Sequence, residues 1–272
     1  MPGPLGIIAG QGGLPVALAA AATASGRAVV LAEMEGHPSG VPGGHPVVPF
    51  RVERLGRLFR DLRARGVDEV AMAGILHRPD FDPRRFDLKT LALVPRIFRG
   101  LKAGDDALLR LVIAIFEENG FRIRGAHEFL PEFVARPGAM TRTAPDPARQ
   151  GDAARGRAIL AALGPQDVAQ ACVVARGLCL GIESIYGTDA LLSDVARHRP
   201  ERRPETGGTF VKVAKPGQEM RADMPVIGPA TVAGVAAAGL DGICLEAGRV
   251  MILDAGEAVR LAEEKGICIW AI

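Results

Sequence analysis

Apolar and polar positions follow one another here as short apolar runs, glycine or proline breaks, and longer periodic stretches. Leu5–Ala9 is an unbroken apolar run that stops at Gly10-Gln11-Gly12-Gly13-Leu14-Pro15, after which 16–25 favours helix up to Gly26. The pattern predicts strand, glycine turn and helix. A second strand signal covers 28–32, followed by Glu33 and a Gly, Pro and His loop over 36–46. Residues 51–65 carry helical period, with Val52, Leu55, Leu58, Phe59 and Leu62 on one face and Arg51, Arg54, Arg57, Arg60 and Arg63 recurring opposite them. Residues 69–76 read as a third strand. Asp105 or Asp106 opens a helix that runs to Asn119-Gly120, and 121–125 supplies another strand.

Between Arg136 and Gly156 the composition shifts to Pro, Gly, Ala, Arg and Asp, which predicts a linker at 135–150 joining domains at 1–134 and 151–272. Beyond it come a helix over 152–163 and an alternating hairpin, 169–175 and 178–184, turned by Arg176-Gly177. A helix opened by Thr188 or Asp189, a strand at 209–214, helices at 230–238 and 255–265, and strands at 242–245, 250–253 and 267–272 complete the chain. The expected fold class is α/β, an N-terminal Rossmann-like parallel-sheet domain plus a second mixed α/β domain.

Composition narrows the function classes. With 272 residues, 48% hydrophobic and 24% charged, the chain has room for two cores, which excludes disordered and fibrous classes. Its 33 basic and 31 acidic side chains nearly cancel and only 4% are aromatic, so no nucleic-acid partner is expected. Cys172, Cys179, Cys244 and Cys268 sit in apolar strand-like runs without Cys-x-x-Cys spacing and read as buried reduced thiols. No basic segment followed by an apolar core opens the sequence, and the weakly polar stretch 14–24 is short and alanine-rich, so the expectation is a cytoplasmic protein without a span.

Candidate chemistry concentrates at 212–231, where Lys212, Lys215, Gln218, Glu219, Arg221 and Asp223 crowd between Lys-Pro-Gly, Met-Pro and Gly-Pro breakers. Such a segment is mostly loop, and loops carry function disproportionately. The glycine turn, Gly10, Gln11, Gly12, Gly13 and Leu14, stands at the positive end of a helix and suits a phosphate or nucleotide; closing a tight turn is the alternative. Glu33 falls where a Rossmann fingerprint holds a ribose, although Pro15 replaces the third glycine. Arg78, in the 77–81 loop at the carboxyl edge of the sheet, is a candidate phosphate contact, and His77 beside it is either a weaker one or structural. Asp105 and Asp106 either cap their helix or touch a metal or ribose, and the arginine stripe of 51–65 either meets anionic lipid or is a solvated face.

Gly10-Gln-Gly-Gly-Leu-Pro15, Arg78-Pro-Asp-Phe81, Gly104-Asp-Asp-Ala-Leu-Leu-Arg110, Gly125-Ala-His127-Glu128, Gly187-Thr-Asp189 and Gln218-Glu-Met-Arg221-Ala-Asp223-Met-Pro225-Val-Ile-Gly228 occur in this order. Together they resemble the LpxI family of UDP-2,3-diacylglucosamine pyrophosphatases. The resemblance implies a Mg2+- or Mn2+-dependent hydrolase of lipid A biosynthesis in a Gram-negative bacterium, which cuts UDP-2,3-diacylglucosamine into UMP and 2,3-diacylglucosamine 1-phosphate (lipid X). It implies an N-terminal domain for the UDP end and a C-terminal domain for the acyl chains, and it carries the family's essential aspartate onto Asp223. At Tyr186 the chain departs from the pattern, because a glutamate often precedes Gly-Thr-Asp in the family. Either Glu183 or Asp189 then substitutes, or the position is not a ligand.

A pyrophosphate repels an incoming water, so its hydrolysis calls for a cation and an orienting group. Asp223 is expected to bind the metal and orient or deprotonate its water, with Asp189 as a second carboxylate. Lys212, Lys215 and Arg221 supply positive charge, and Gln218 and Thr188 position substrate or water. A lipid substrate further implies transient contact with the inner face of the inner membrane, and a homodimer is left open. Two rival readings stand beside this one: a Rossmann-type NAD(P)-dependent oxidoreductase using Gly10 to Gly13 and Glu33, and a non-catalytic UDP-sugar-binding module.

Overall fold

A computed structural model describes residues 3–76, 82–103, 105–199 and 206–272. The chain forms two compact units, Met1–Pro131 with Glu219–Asp223, and Glu132–Gln218 with Met224–Ile272.

In the first unit β1 (Leu5–Ala9), α1 (Gly13–Ala24), β2 (Val29–Met34), β3 (Val47–Phe50), α2 (Leu55–Arg63), β4 (Glu69–Ala73), α3 (Leu88–Ala103), α4 (Asp105–Glu118) and β5 (Arg122–Arg124) follow one another. The strands form one parallel sheet in the order β3-β2-β1-β4-β5. This is the doubly wound order the strand-helix alternation predicts, and it reverses between β1 and β4, which opens a crevice outside their carboxyl ends. All five residues of β1 are buried, which is why its sequence shows an unbroken apolar run rather than alternation. Leu58, Phe59 and Leu62 of α2 and Ile113 and Phe116 of α4 pack with Ile8, Val70 and Ile123. Phe59 and Phe116 meet edge to face at 5.1 Å.

Two expectations change here. The helix expected over 51–65 begins only at Leu55, after a 3-10 turn at Val52–Arg54 whose Glu53 is buried and accepts a hydrogen bond from Asp82 N. α3 was not anticipated at all. Its exposed Leu88, Leu91 and Phe98 blur the one-sided apolar pattern, and Pro95 stands inside it.

The second unit contains β6 (Gly138–Ala139), α5 (Pro147–Leu163), β7 (Ala171–Ala175), β8 (Leu178–Ile182), α6 (Gly187–His198), β9 (Thr209–Lys212), β10 (Val226–Ile227), α7 (Pro229–Ala237), β11 (Gly242–Leu245), β12 (Met251–Ile252), α8 (Ala255–Glu264) and β13 (Cys268–Ala271). Six strands make a mixed sheet ordered β6-β13-β11-β9-β7-β8, and β10 and β12 form a parallel pair. The hairpin turns at Arg176 (φ 51°) and Gly177 (φ 78°), the two positive values a type I′ turn needs. Asp152 fixes it by accepting hydrogen bonds from both backbone amides.

Residues 135–150, expected as a linker, carry a buried Ala135, the pairing of β6 with β13, and the first turn of α5 capped by Asp146. Cys172, Cys244 and Cys268 are buried, and burial pushes the Cys172 and Cys244 thiols up to about 12. Cys179 is exposed, contrary to expectation, because β8 is an edge strand.

Candidate functional site

The glycine turn lies at the carboxyl end of β1, beside the switch point. Gln11 and Ile75 exchange backbone hydrogen bonds at 3.0 and 2.9 Å, joining the exits of β1 and β4. A Cβ on Gly10 would lie 2.5 Å from the Ile75 carbonyl oxygen, so this glycine serves the close approach of two chain segments. Gly12 differs. Its φ of 109° and ψ of −178° suit glycine alone, and nothing lies within 4 Å of where its Cβ would stand. Gln11, Gly12 and Gly13 are exposed and Leu14 is half-buried; α1 has neither a side-chain cap nor an acidic residue in its first turn. The first amides of α1 therefore face outward beneath the positive end of the helix dipole. Ile75 is 66% exposed beside them, an apolar neighbour that periodicity, placing it inside a strand, did not reveal. Arg78 and His77 lie outside the described residues. Glu33 does not point to a free ribose site, because its Oε1 accepts hydrogen bonds from Ser39 N and Ser39 Oγ and thereby pins the following loop.

The five-residue segment Glu219–Asp223 packs on α4 of the same unit. Asp106 Oδ1 accepts from Glu219 N at 2.9 Å, and the other oxygen of Asp106 pairs with Arg110 at 2.7 Å. Arg221 grips both oxygens of Glu219 at 2.9 Å and reaches Glu117 at 2.8 Å. Asp223 N donates to Glu219 O at 2.9 Å, closing one turn, while Ala222 rests against the apolar core. Glu117 is a participant that the sequence reading missed. Its signal is spacing, since residues 106, 110 and 117 fall on one face of a helix. Asp106 holds this segment. The paired hydrogen bonds from Arg221 keep the Glu219 carboxyl below its usual value against the opposing effect of burial, and the same contact raises Arg221.

In the second unit the remaining candidates join a polar chain at the carboxyl end of β9. Lys212, only 3% exposed, donates to Thr188 Oγ1 at 2.6 Å and lies 3.6 Å from Glu183 Oε1. Thr188 Oγ1 donates to that same oxygen at 2.6 Å. Glu183 also accepts from Gln170 N, and Gln170 Oε1 accepts from Gln218 Nε2 at 3.2 Å. Gln218 is buried and takes the Lys215 amide on its Oε1, while Lys215 Nζ pairs with Asp167. Lys212, Lys215, Gln218 and Arg221 thus all hold protein partners. Tyr186 is 82% exposed just ahead of α6, and Asp189 is exposed in its first turn. Glu183, considered as a substitute acid for Tyr186, is turned inward to Thr188 and Lys212.

Among the described residues no group of three or more His, Cys, Asp or Glu gathers to hold a metal ion. Mg2+ is usually held by one or two carboxylates, with substrate phosphates and water completing its shell. The half-buried carboxylate of Asp223 fits that role by donor chemistry, as does exposed Asp189; the first belongs to the first unit and the second to the other.

A cavity of 450 Å³, lined in part by Glu117, opens at the amino ends of β1, β4 and β5, the opposite edge from the glycine turn. Burial would raise the Glu69 carboxyl there, but Arg27, Arg124 and Arg122 together hold it below its usual value. The cluster ties three strand starts together.

Residues 4–133 match the model of the LpxI N-terminal domain and residues 136–270 that of the LpxI C-terminal domain. A Caulobacter vibrioides protein named UDP-2,3-diacylglucosamine pyrophosphatase LpxI is 37% identical over 274 residues, which cover 98% of this chain and 97% of that relative. With both domain models matched in order and one relative aligned almost end to end, the chain belongs to the LpxI family.

Proposed function

We propose that this protein hydrolyses the pyrophosphate of UDP-2,3-diacylglucosamine to UMP and 2,3-diacylglucosamine 1-phosphate, the lipid X of lipid A biosynthesis. The observation that carries the reading is the end-to-end similarity to a relative bearing that activity in its name. Water attacks the β-phosphorus, the bond from that phosphorus to the bridging oxygen breaks, and UMP departs with the bridging oxygen. Asp223 orients the water or takes its proton, and Asp223 and Asp189 are each candidate ligands for Mg2+ or Mn2+. When bound, such an ion neutralises phosphate oxygens and favours attack.

Within each unit the chain's other candidate residues divide their tasks. The outward amides at Gly12, Gly13 and Leu14 receive a phosphate of the UDP end, as a helix amino terminus does; Arg78, outside the described residues, is the candidate for a further phosphate contact. Arg221, already bidentate to Glu219, fixes the turn that presents Asp223 before it offers charge to substrate. Gln218 closes its own loop on the Lys215 amide, and Lys212, its charge set against Glu183, donates to Thr188 at the start of α6. The engagement of Glu33 by Ser39 gives the oxidoreductase reading no support. A non-catalytic module, the other rival, predicts no turnover at all.

The test is purified protein with UDP-2,3-diacylglucosamine and magnesium in detergent, with and without chelator, following UMP. Metal-dependent UMP release is expected. No UMP under any metal condition would overturn the proposal.

A further inference from the structure

One face of α3 is exposed among the described residues, although the helix is firmly seated. Thr90 is fully buried, Leu93 and Ile97 pack on the core of the first unit, and Gly100 approaches Leu108 and Leu111 so closely that an added Cβ would lie 3.1 Å from a Leu111 methyl. On the opposite side Leu88 is 88%, Leu91 54% and Phe98 56% exposed, and Pro95 is exposed between them. At 100° per residue, positions 88, 91, 95 and 98 fall within a single arc of the helix. From Leu88 to Phe98 the stripe runs about 15 Å along this 16-residue helix.

Charge identifies the occupant. Residues 88–103 include Lys89, Arg96, Arg99 and Lys102 and no acidic residue; Arg96 is held by Glu118 and Lys89 lies over the Phe59 ring, which leaves Arg99 as the described cation beside the stripe. Exposed Arg99 borders the apolar arc, and exposed Arg84 precedes the helix. An apolar stripe edged by cations is the composition of a helix that lies in the interface of an anionic bilayer, with apolar groups among acyl chains and cationic heads at the phosphates. Among the described residues no helix is long and apolar enough to cross a membrane, so the contact is made at the surface. The arginine stripe of α2 is a weaker candidate. Arg51 pairs with Glu35, Arg57 with Asp61, and Arg63 with the Asn119 carbonyl, and no exposed apolar group accompanies them.

We propose that the outer face of α3, centred on Leu88, Leu91, Pro95 and Phe98, docks this protein onto an anionic phospholipid surface. The inference deepens the proposed function by naming where a lipid substrate would be met. It rests on that function only for the reason a bilayer is approached.

Flotation of the whole protein tests it without substrate, using vesicles of phosphatidylcholine alone and of equimolar phosphatidylcholine and phosphatidylglycerol. The wild type is expected to float with the anionic vesicles only, and high salt should release it. Leu91→Ser with Phe98→Ser should abolish flotation, and Arg99→Glu should weaken binding roughly tenfold. All three positions are exposed, so the variants should keep the wild-type circular dichroism and the wild-type UMP release from detergent-dispersed substrate. Failure of the wild type to float, or equal flotation of the double variant, would overturn the proposal. So would sedimentation showing a dimer that the double variant loses, because the face would then belong to a second copy. Flotation without any UMP release would leave docking standing and remove the catalytic reading instead.

Discussion

Asp106 performs two tasks with one carboxylate: one oxygen receives the Glu219 amide at 2.9 Å and the other pairs with Arg110. Asp106→Ala should unfasten the turn that presents Asp223 and lower kcat roughly tenfold to a hundredfold, because small misplacements of a reacting group are costly. Asp106→Asn keeps an acceptor for the amide and should retain most activity. Steady-state UMP release by the two variants decides, and equal loss in both would show that the Arg110 pair, not the amide, is what matters. Sequence reasoning could name the acid at this position but not its partner. The contact spans 113 positions of chain, and no local pattern records it. Lys212 shows the same limit from the other side: it was expected in a loop as positive charge for substrate, yet it ends β9 and is buried against Thr188 and Glu183.

At the scale of elements, the docking of Glu219–Asp223 on α4 has a pH dependence of known sign. Arg221 holds the Glu219 carboxyl below its ordinary 4.5, against the raising effect of burial. A depressed acid contributes stability that is complete above the unfolded value and is lost as pH falls through the folded one. Amide protection across 219–223 should therefore hold through neutral pH and fall only below 4.5. Protection already lost near neutrality would mean that the Glu219 pair does not secure the segment. Most elements were legible because a single cause wrote them. β1 is apolar because both its faces are covered, and the hairpin turn announces itself in Arg176-Gly177. α3 was illegible because its outer apolar residues do not serve the core, and Cys179 was misjudged because edge position is a property of the sheet, not of the strand.

Over the whole molecule, the residue credited with chemistry crosses the boundary its sequence suggests. Asp223 lies within 136–270, the stretch matched by the C-terminal family model, but it packs with the unit that carries the glycine turn. A reading along the chain had assigned nucleotide and hydrolytic machinery to separate halves, and packing places the glycine turn and Asp223 in the same one. The most direct test of the central claim is UMP release by Asp223→Asn, a near-isosteric change, under conditions where the wild type turns over. A loss of at least roughly a hundredfold, with unchanged circular dichroism, is expected for a group that orients or deprotonates the attacking water. Turnover within about twofold of wild type, well short of the effect of removing a general base, would contradict it.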